Sequence, residues 1–155
     1  MAVGVIRKIS EDEVRENLDD IAIWNENLKI GNVSKHFGLD SVIWYALFVN
    51  KREMVALAAV AKNKQYSPIR GEVFINQLCA KSGHGYGKAL VNGLYNMFNK
   101  KHPEGTNCFG FTADPEAKSG LIEYYRKWFN EEIGWKSFKT RMGWDHFQKK
   151  FTKEV

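Results

Sequence analysis

Residues 71–98 read GEVFINQLCAKSGHGYGKALVNGLYNMF. The order is strand, glycine-rich loop, helix. Val73, Phe74, Ile75 and Leu78 form a short apolar run closing on Cys79 and Ala80, the pattern of a largely buried strand. Glycines follow at 83, 85 and 87. Leu90, Leu94, Met97 and Phe98 then recur at helical spacing, so one stripe of the helix faces a core. That helix has to stop before His102-Pro103, because proline disfavours a helical residue in front of it.

A glycine-rich loop opening a helix has a chemical meaning. The first N–H groups of a helix lack intrahelical partners and carry partial positive charge. Glycine allows the backbone to approach a ligand in conformations other residues avoid. Together they form an anion site, most often for phosphate. The plainer alternative is a tight strand-to-helix turn. Two phosphate motifs are excluded. In a P-loop reading, Gly87-Lys88 supplies the Gly-Lys pair, but Ser82 replaces the first glycine and Ala89 the hydroxyl residue. A dinucleotide fingerprint on Gly83 and Gly85 needs a third glycine where Lys88 stands.

Composition narrows the class. A chain of 155 residues fits a single domain over 1–155 with one buried core. With 44% hydrophobic residues, disorder is excluded. No apolar run approaches a membrane span, and no charged-then-apolar leader is visible, so a cytoplasmic protein away from the membrane is expected. Cys79 and Cys108 fit reduced thiols rather than a disulfide framework. No cysteine–histidine spacing points to zinc, and no metal is expected. A net charge of +5 favours an anionic ligand without implying nucleic acid.

The rest of the chain supplies the other elements. Residues 3–9 read as a strand. Ser10 and Glu13 form a capping box, and Val14, Leu18 and Ile21 place a stripe on a helix running to about Asn25. A loop with a short helix near 33–37 follows. Residues 41–49 and 54–61 read as a hairpin around Asn50-Lys51-Arg52-Glu53, a poor type I′ turn for want of glycine. The alanines of its second strand imply close packing under a helix. Residues 107–112 make another strand, ended by Asp114-Pro115. A helix over 119–130 carries Leu121, Tyr124, Tyr125, Trp128 and Phe129, with Ser119 as its N-cap. Lys136–Phe138 and Trp144–Phe151 close the chain as strands around Met142-Gly143. Strands with helices on both faces give an α+β (α/β three-layer) fold.

The run Ser82-Gly83-His84-Gly85-Tyr86-Gly87 resembles the Arg/Gln-x-x-Gly-x-Gly/Ala signature of the GCN5-related N-acetyltransferases (GNAT), with Ser82 departing from the first position. The element order resembles that family's fold, a mixed, mainly antiparallel central sheet flanked by helices. The segment 107–129 is similar to its second motif, although the Gly-Phe that usually follows the tyrosine is missing or displaced to Gly134-Trp135.

The resemblance implies acetyl-CoA as cosubstrate, with its pyrophosphate in the loop from Ser82 to Lys88 and its pantetheine arm along Leu78, Cys79 and Ala80. A backbone N–H near Leu78–Ala80 would polarise the thioester carbonyl. Tyr125 best matches the family tyrosine that donates to the CoA sulfur; Tyr124 is the alternative, and core packing the plain reading of either. Glu72 lies where several members carry a glutamate that acts through water; an exposed strand-end glutamate is the alternative. His84 fits a phosphate contact better than a base. Lys81 and Lys88 could pair with phosphates as point charges or simply be solvated. Cys79 reads as a small buried residue.

The implied activity is direct transfer of an acetyl group to a primary amine on a small molecule or a protein. Family members are often dimers, so a homodimer is compatible. The rivals are a catalytically silent binding module and an acetyltransferase acting on an RNA-linked amine. The latter draws on the basic and aromatic residues between Lys136 and Lys153. Their alternation is explained more simply by a strand with one buried face, so nucleic acid is not favoured.

Overall fold

The computed structural model describes residues 4–25, 28–62, 67–113 and 121–152. Seven strands form one sheet in the order β1-β2-β3-β4-β5-β7-β6. These are β1 (Val5–Ile9), β2 (Val42–Val49), β3 (Glu53–Ala61), β4 (Glu72–Ala80), β5 (Cys108–Ala113), β6 (Trp135–Lys139) and β7 (Asp145–Lys150). β4 and β5 are parallel, and every other neighbouring pair is antiparallel. A parallel pair needs a long crossover, here α4 (Tyr86–Lys100). The other helices are α1 (Glu11–Glu16), α2 (Leu18–Ala22), α3 (Gly31–Ser34) and α5 (Leu121–Trp128). The expected Ser119 N-cap and the Asp114-Pro115 strand end lie outside the described residues.

Both sheet faces are covered, giving three layers. On one face Leu90, Val91, Leu94 and Phe98 of α4 pack with Phe109, Phe111, Trp135 and Phe147. On the other, Val14, Ile21, Trp24 and Val33 pack with Trp44, Phe48 and Leu57. Ala56 and Ala58 of β3 lie beneath α4 with no exposed surface, as the run of alanines implied. The mixed, mainly antiparallel sheet between helices is the expected fold class.

Local chemistry explains the departures from the expected boundaries. The Ser10 hydroxyl caps α1, accepting from Glu13 N–H at 3.2 Å. The helix does not run unbroken to Asn25. Asn17 Nδ2 donates to Glu13 O at 2.8 Å, and Asn17 N–H bonds Val14 O. A side chain competing for a helix carbonyl interrupts the ladder, so α2 begins afresh at Leu18. The stripe still holds, since Val14 and Ile21 are fully buried. α3 lies at 31–34 rather than 33–37. The β2–β3 turn places Asn50 (φ 52°) and Lys51 (φ 69°) in the left-handed region without a glycine.

One irregularity positions the site. Ala59 pairs with Gln77 but Val60 pairs with Ile75, so Asn76 is an extra residue, a β-bulge. Its effect shows in which side chains meet α4: Val73 and Ile75 before the bulge, Leu78 and Ala80 after it. β4 pairs with β5 only from Glu72↔Cys108 to Ile75↔Phe111, although both strands continue. The bulged strand bends away, and a wedge opens between β4 and β5 above Ile75 and Phe111.

Candidate functional site

The wedge leads to the glycine loop. Gly83 (φ 87°) and Gly85 (φ 72°) both adopt left-handed backbone. Gly85 is the N-cap of α4, and no side chain caps the helix. The first N–H groups of this 15-residue helix are therefore left for a ligand or solvent. A Cβ on Gly83 or Gly85 would meet no atom of the described residues within 4 Å, so the loop is open outward. Gly87 faces inward instead, where its Cβ would lie 3.6 Å from Ala80 Cβ.

The loop's side chains are arranged as follows. Ser82 N–H donates to Trp24 O at 3.0 Å, tying the loop to the end of α2. His84 stacks on Tyr86 with centroids 4.9 Å apart. Lys88 places its ammonium 3.3 Å from the centre of the Trp128 ring, linking the first turn of α4 to α5. Lys81 pairs with Glu53 at 3.2 Å, on the β3 side.

Along the upper half of β4, Leu78, Cys79 and Ala80 pair with Ala58, Leu57 and Ala56. Lys81 N–H donates to Val55 O at 2.9 Å. Strand alternation then turns the backbone groups of Ala80 and Leu78 away from β3, into the wedge. Cys79 is buried, its Sγ near Leu57 O, and burial pushes its thiol up to about 12. A thiol held protonated there is no nucleophile.

Tyr125 and Tyr124 separate clearly. Tyr125 packs its ring on Phe111 at 5.2 Å and on Phe147 at 5.9 Å. Phe111 is the last β5 residue paired with β4, so Tyr125 stands at the mouth of the wedge on the α4–α5 face. Burial pushes its phenol up to about 12, with a smaller contribution from Tyr124. Its hydroxyl has no hydrogen-bond partner among the described residues. Tyr124 is 37% exposed. Arg126, beside them on α5, pairs with Asp145 of β7 at 2.7 Å, and Lys139 holds the same carboxylate. These cations keep Asp145 below the usual carboxylate range, and the pair fixes α5 over the sheet.

Glu72 is not an exposed strand-end residue. It is 1% exposed, on the sheet face opposite Tyr125. Its Oε2 accepts from Gln148 Nε2 at 2.6 Å and lies 2.8 Å from His146 Nε2. Its Oε1 has no partner among the described residues. His146 is fully buried between Phe74 and Phe138, and its Nδ1 lies 2.8 Å from Thr112 Oγ1. Thr112, His146 and Gln148 were not singled out from sequence. Polar side chains on the buried face of β7 were the available signal.

Gly110 makes room for this carboxylate. A Cβ there would stand 2.5 to 2.8 Å from the Glu72 carboxyl atoms. Gly110→Ala is therefore expected to destabilise the fold by about 1–3 kcal/mol through overpacking, measured by urea unfolding. An unchanged midpoint would mean that the carboxylate is free to move.

Among the described residues, no three His, Cys, Asp or Glu side chains are placed to hold a metal ion, and no helix is long and apolar enough to cross a membrane. No family model matches the sequence, nor does any curated protein. Solved structures do match over nearly the whole chain. The GNAT domain of S. lividans PAT has TM-score 0.64 and 14% identity, covering 96% of each chain. The ribosomal-protein-S18-alanine N-acetyltransferase from Escherichia coli has TM-score 0.62 and 14% identity, covering 99% of this chain and 97% of its own. The PaiA N-acetyltransferase from Thermoplasma acidophilum, solved with coenzyme A, has TM-score 0.60 and 16% identity, covering 96% and 99%. The chain has the fold of the GCN5-related N-acetyltransferases.

Proposed function

We propose that the protein transfers an acetyl group from acetyl-CoA directly to a primary amine. The observation that carries this reading is the wedge between β4 and β5, which opens where the uncapped N-terminus of α4 and its glycine loop lie. Backbone N–H groups of residues 83–88 would hold the pyrophosphate, as helix N-termini hold anions. The backbone of Leu78–Ala80 would pair with the pantetheine arm, and an N–H there would polarise the carbonyl. The wedge would place the thioester at Phe111, with Tyr125 against it to donate to the departing sulfur. Glu72 would assist removal of the attacking amine's proton; its carboxylate is closed off from solvent, so it acts on that amine through other groups.

The acceptor is a small-molecule or protein amine. An RNA-linked amine is less favoured, because among the aromatics between Lys136 and Lys153 Phe147 is fully buried, Phe138 packs on His146, and Phe151 stacks on His102 and Tyr95. Calorimetry with acetyl-CoA, followed by thiol release in the presence of primary amines, tests the reading. Saturable binding with amine-dependent thiol release is expected. Absence of binding would overturn it, and binding without release to any amine would favour the silent module.

A further inference from the structure

Tyr125 and Thr112 lie on opposite faces of β5 at the mouth of the wedge. Phe111, the last residue paired with β4, turns its ring toward Tyr125, and strand alternation sends the next side chain, Thr112, to the other face. Resting on the acetyl-transfer reading above, we propose that Thr112, His146 and Glu72 form a relay, with Thr112 touching the amine and taking its proton.

The distances between the three side chains suit this relay. In the relay Glu72 acts as a carboxylate, an acceptor only, so its Oε2 would receive His146 Nε2–H across the 2.8 Å between them. The Nδ1 lone pair would then accept from the Thr112 hydroxyl, whose oxygen lies 2.8 Å away. The outer lone pairs of Thr112 remain for a proton arriving from outside, and Thr112 is the one member of the three that is not fully buried. A purely structural network at this depth would be expected to satisfy every member, yet Glu72 Oε1 has no partner among the described residues. His146 also lies between the Phe74 ring at 6.0 Å and the Phe138 ring at 5.0 Å. Aromatic faces attract a cation, which suits an imidazole that becomes transiently charged.

The step balances. The amine nitrogen attacks the thioester carbonyl carbon. As the C–N bond forms, its proton passes to Thr112 Oγ1, and the Thr112 hydroxyl proton passes to His146 Nδ1. The imidazolium is held against the Glu72 carboxylate. The C–S bond breaks, and the thiolate leaves with a hydrogen bond from Tyr125, then takes a proton from solvent. The relay returns its own proton to solvent as the product leaves. Thr112 and its neighbours move a proton and form no covalent bond to the acyl group.

The test uses thiol release from acetyl-CoA with spermidine, glycinamide and hydroxylamine as acceptors, alongside calorimetric affinity for acetyl-CoA. Thr112→Val keeps the side-chain shape and should lower kcat with spermidine and glycinamide by about 100-fold, the lower end for a general base. Acetyl-CoA affinity should stay within about twofold of the parent, because the face of β5 that carries Thr112 is not the cofactor's. Thr112→Ser should restore most of the rate. Hydroxylamine, a weakly basic nucleophile that holds its proton less tightly, should lose less than tenfold, about 1.4 kcal/mol. His146→Gln, whose amide can still bridge Thr112 and Glu72, should lose as much rate as Thr112→Val. Thr112→Val at the parent rate would overturn the relay, as would equal losses for all three acceptors or acetylation of Thr112 by acetyl-CoA alone. A parent that binds acetyl-CoA yet releases no thiol to these acceptors also overturns the relay. A parent that does not bind acetyl-CoA instead overturns the acetyl-transfer reading beneath it.

Discussion

Gly85→Val is expected to remove measurable acetyl-CoA binding while leaving the protein folded. Gly85 caps α4 at φ 72°, where a β-branched residue is strained. Holding an L-residue in left-handed backbone costs roughly 1–2 kcal/mol. For a chain of this size, that lowers the melting temperature by only a few degrees. A Cβ at position 85 meets no atom of the described residues within 4 Å, so the side chain starts out away from the core. The valine methyls project instead where the ligand's phosphates would approach the N–H groups. Hydrogen bonds to a charged group contribute about 1.5–3 kcal/mol each. Losing two of them weakens affinity by roughly a hundredfold to ten-thousandfold. Gly85→Ala, with less bulk, should lose less. Calorimetry on the folded variant decides the matter, and unchanged affinity would mean that the loop is only a turn.

The loop and its helix were legible in sequence because their signals are local. Glycine spacing, a helical stripe and a proline stop all lie within about thirty residues of one another. The same holds for the capping box at Ser10. What sequence hid depends on register. Glu72 looked like a strand-end carboxylate, and nothing near it in the chain announces burial. Its partners His146 and Gln148 lie 74 and 76 residues further on, and they meet it only because β7 pairs with β5 in one register. The space it occupies is supplied by Gly110, a glycine that reads as unremarkable in a strand. The bulge at Asn76 left a faint trace, since the apolar positions step from 73 and 75 to 78 and 80, breaking period two. The helix break at Asn17 was missed for a different reason: the apolar stripe continues across it, and only the Asn17 side chain distinguishes one helix from two.

Tyr125→Phe is expected to lower kcat by roughly tenfold to a thousandfold, reaching below the range of a full general acid, with acetyl-CoA affinity nearly unchanged. The structure refines how the phenol would act. Burial pushes its pKa up to about 12, so it keeps its proton throughout the neutral and mildly alkaline range. A thiol titrates near 8.5, so complete proton transfer from such a phenol to a thiolate is uphill by roughly 5 kcal/mol. The hydroxyl would instead stabilise charge on the sulfur by a hydrogen bond as the C–S bond breaks, and solvent would complete protonation. Charge appears there only in the transition state, so the loss falls on kcat rather than on binding. Activity should show no alkaline limb from this tyrosine near pH 10. Phenylalanine keeps the ring contacts to Phe111 and Phe147. It removes a hydroxyl that has no partner among the described residues. The substitution breaks no hydrogen bond among the described residues and is expected to be nearly neutral for stability, so a rate loss is not charged to unfolding. Tyr124→Phe is the control, and its exposed ring should leave the rate unchanged. If Tyr125→Phe turned over like the parent, the sulfur would leave without help from a protein donor, and its position at the wedge would reflect packing alone.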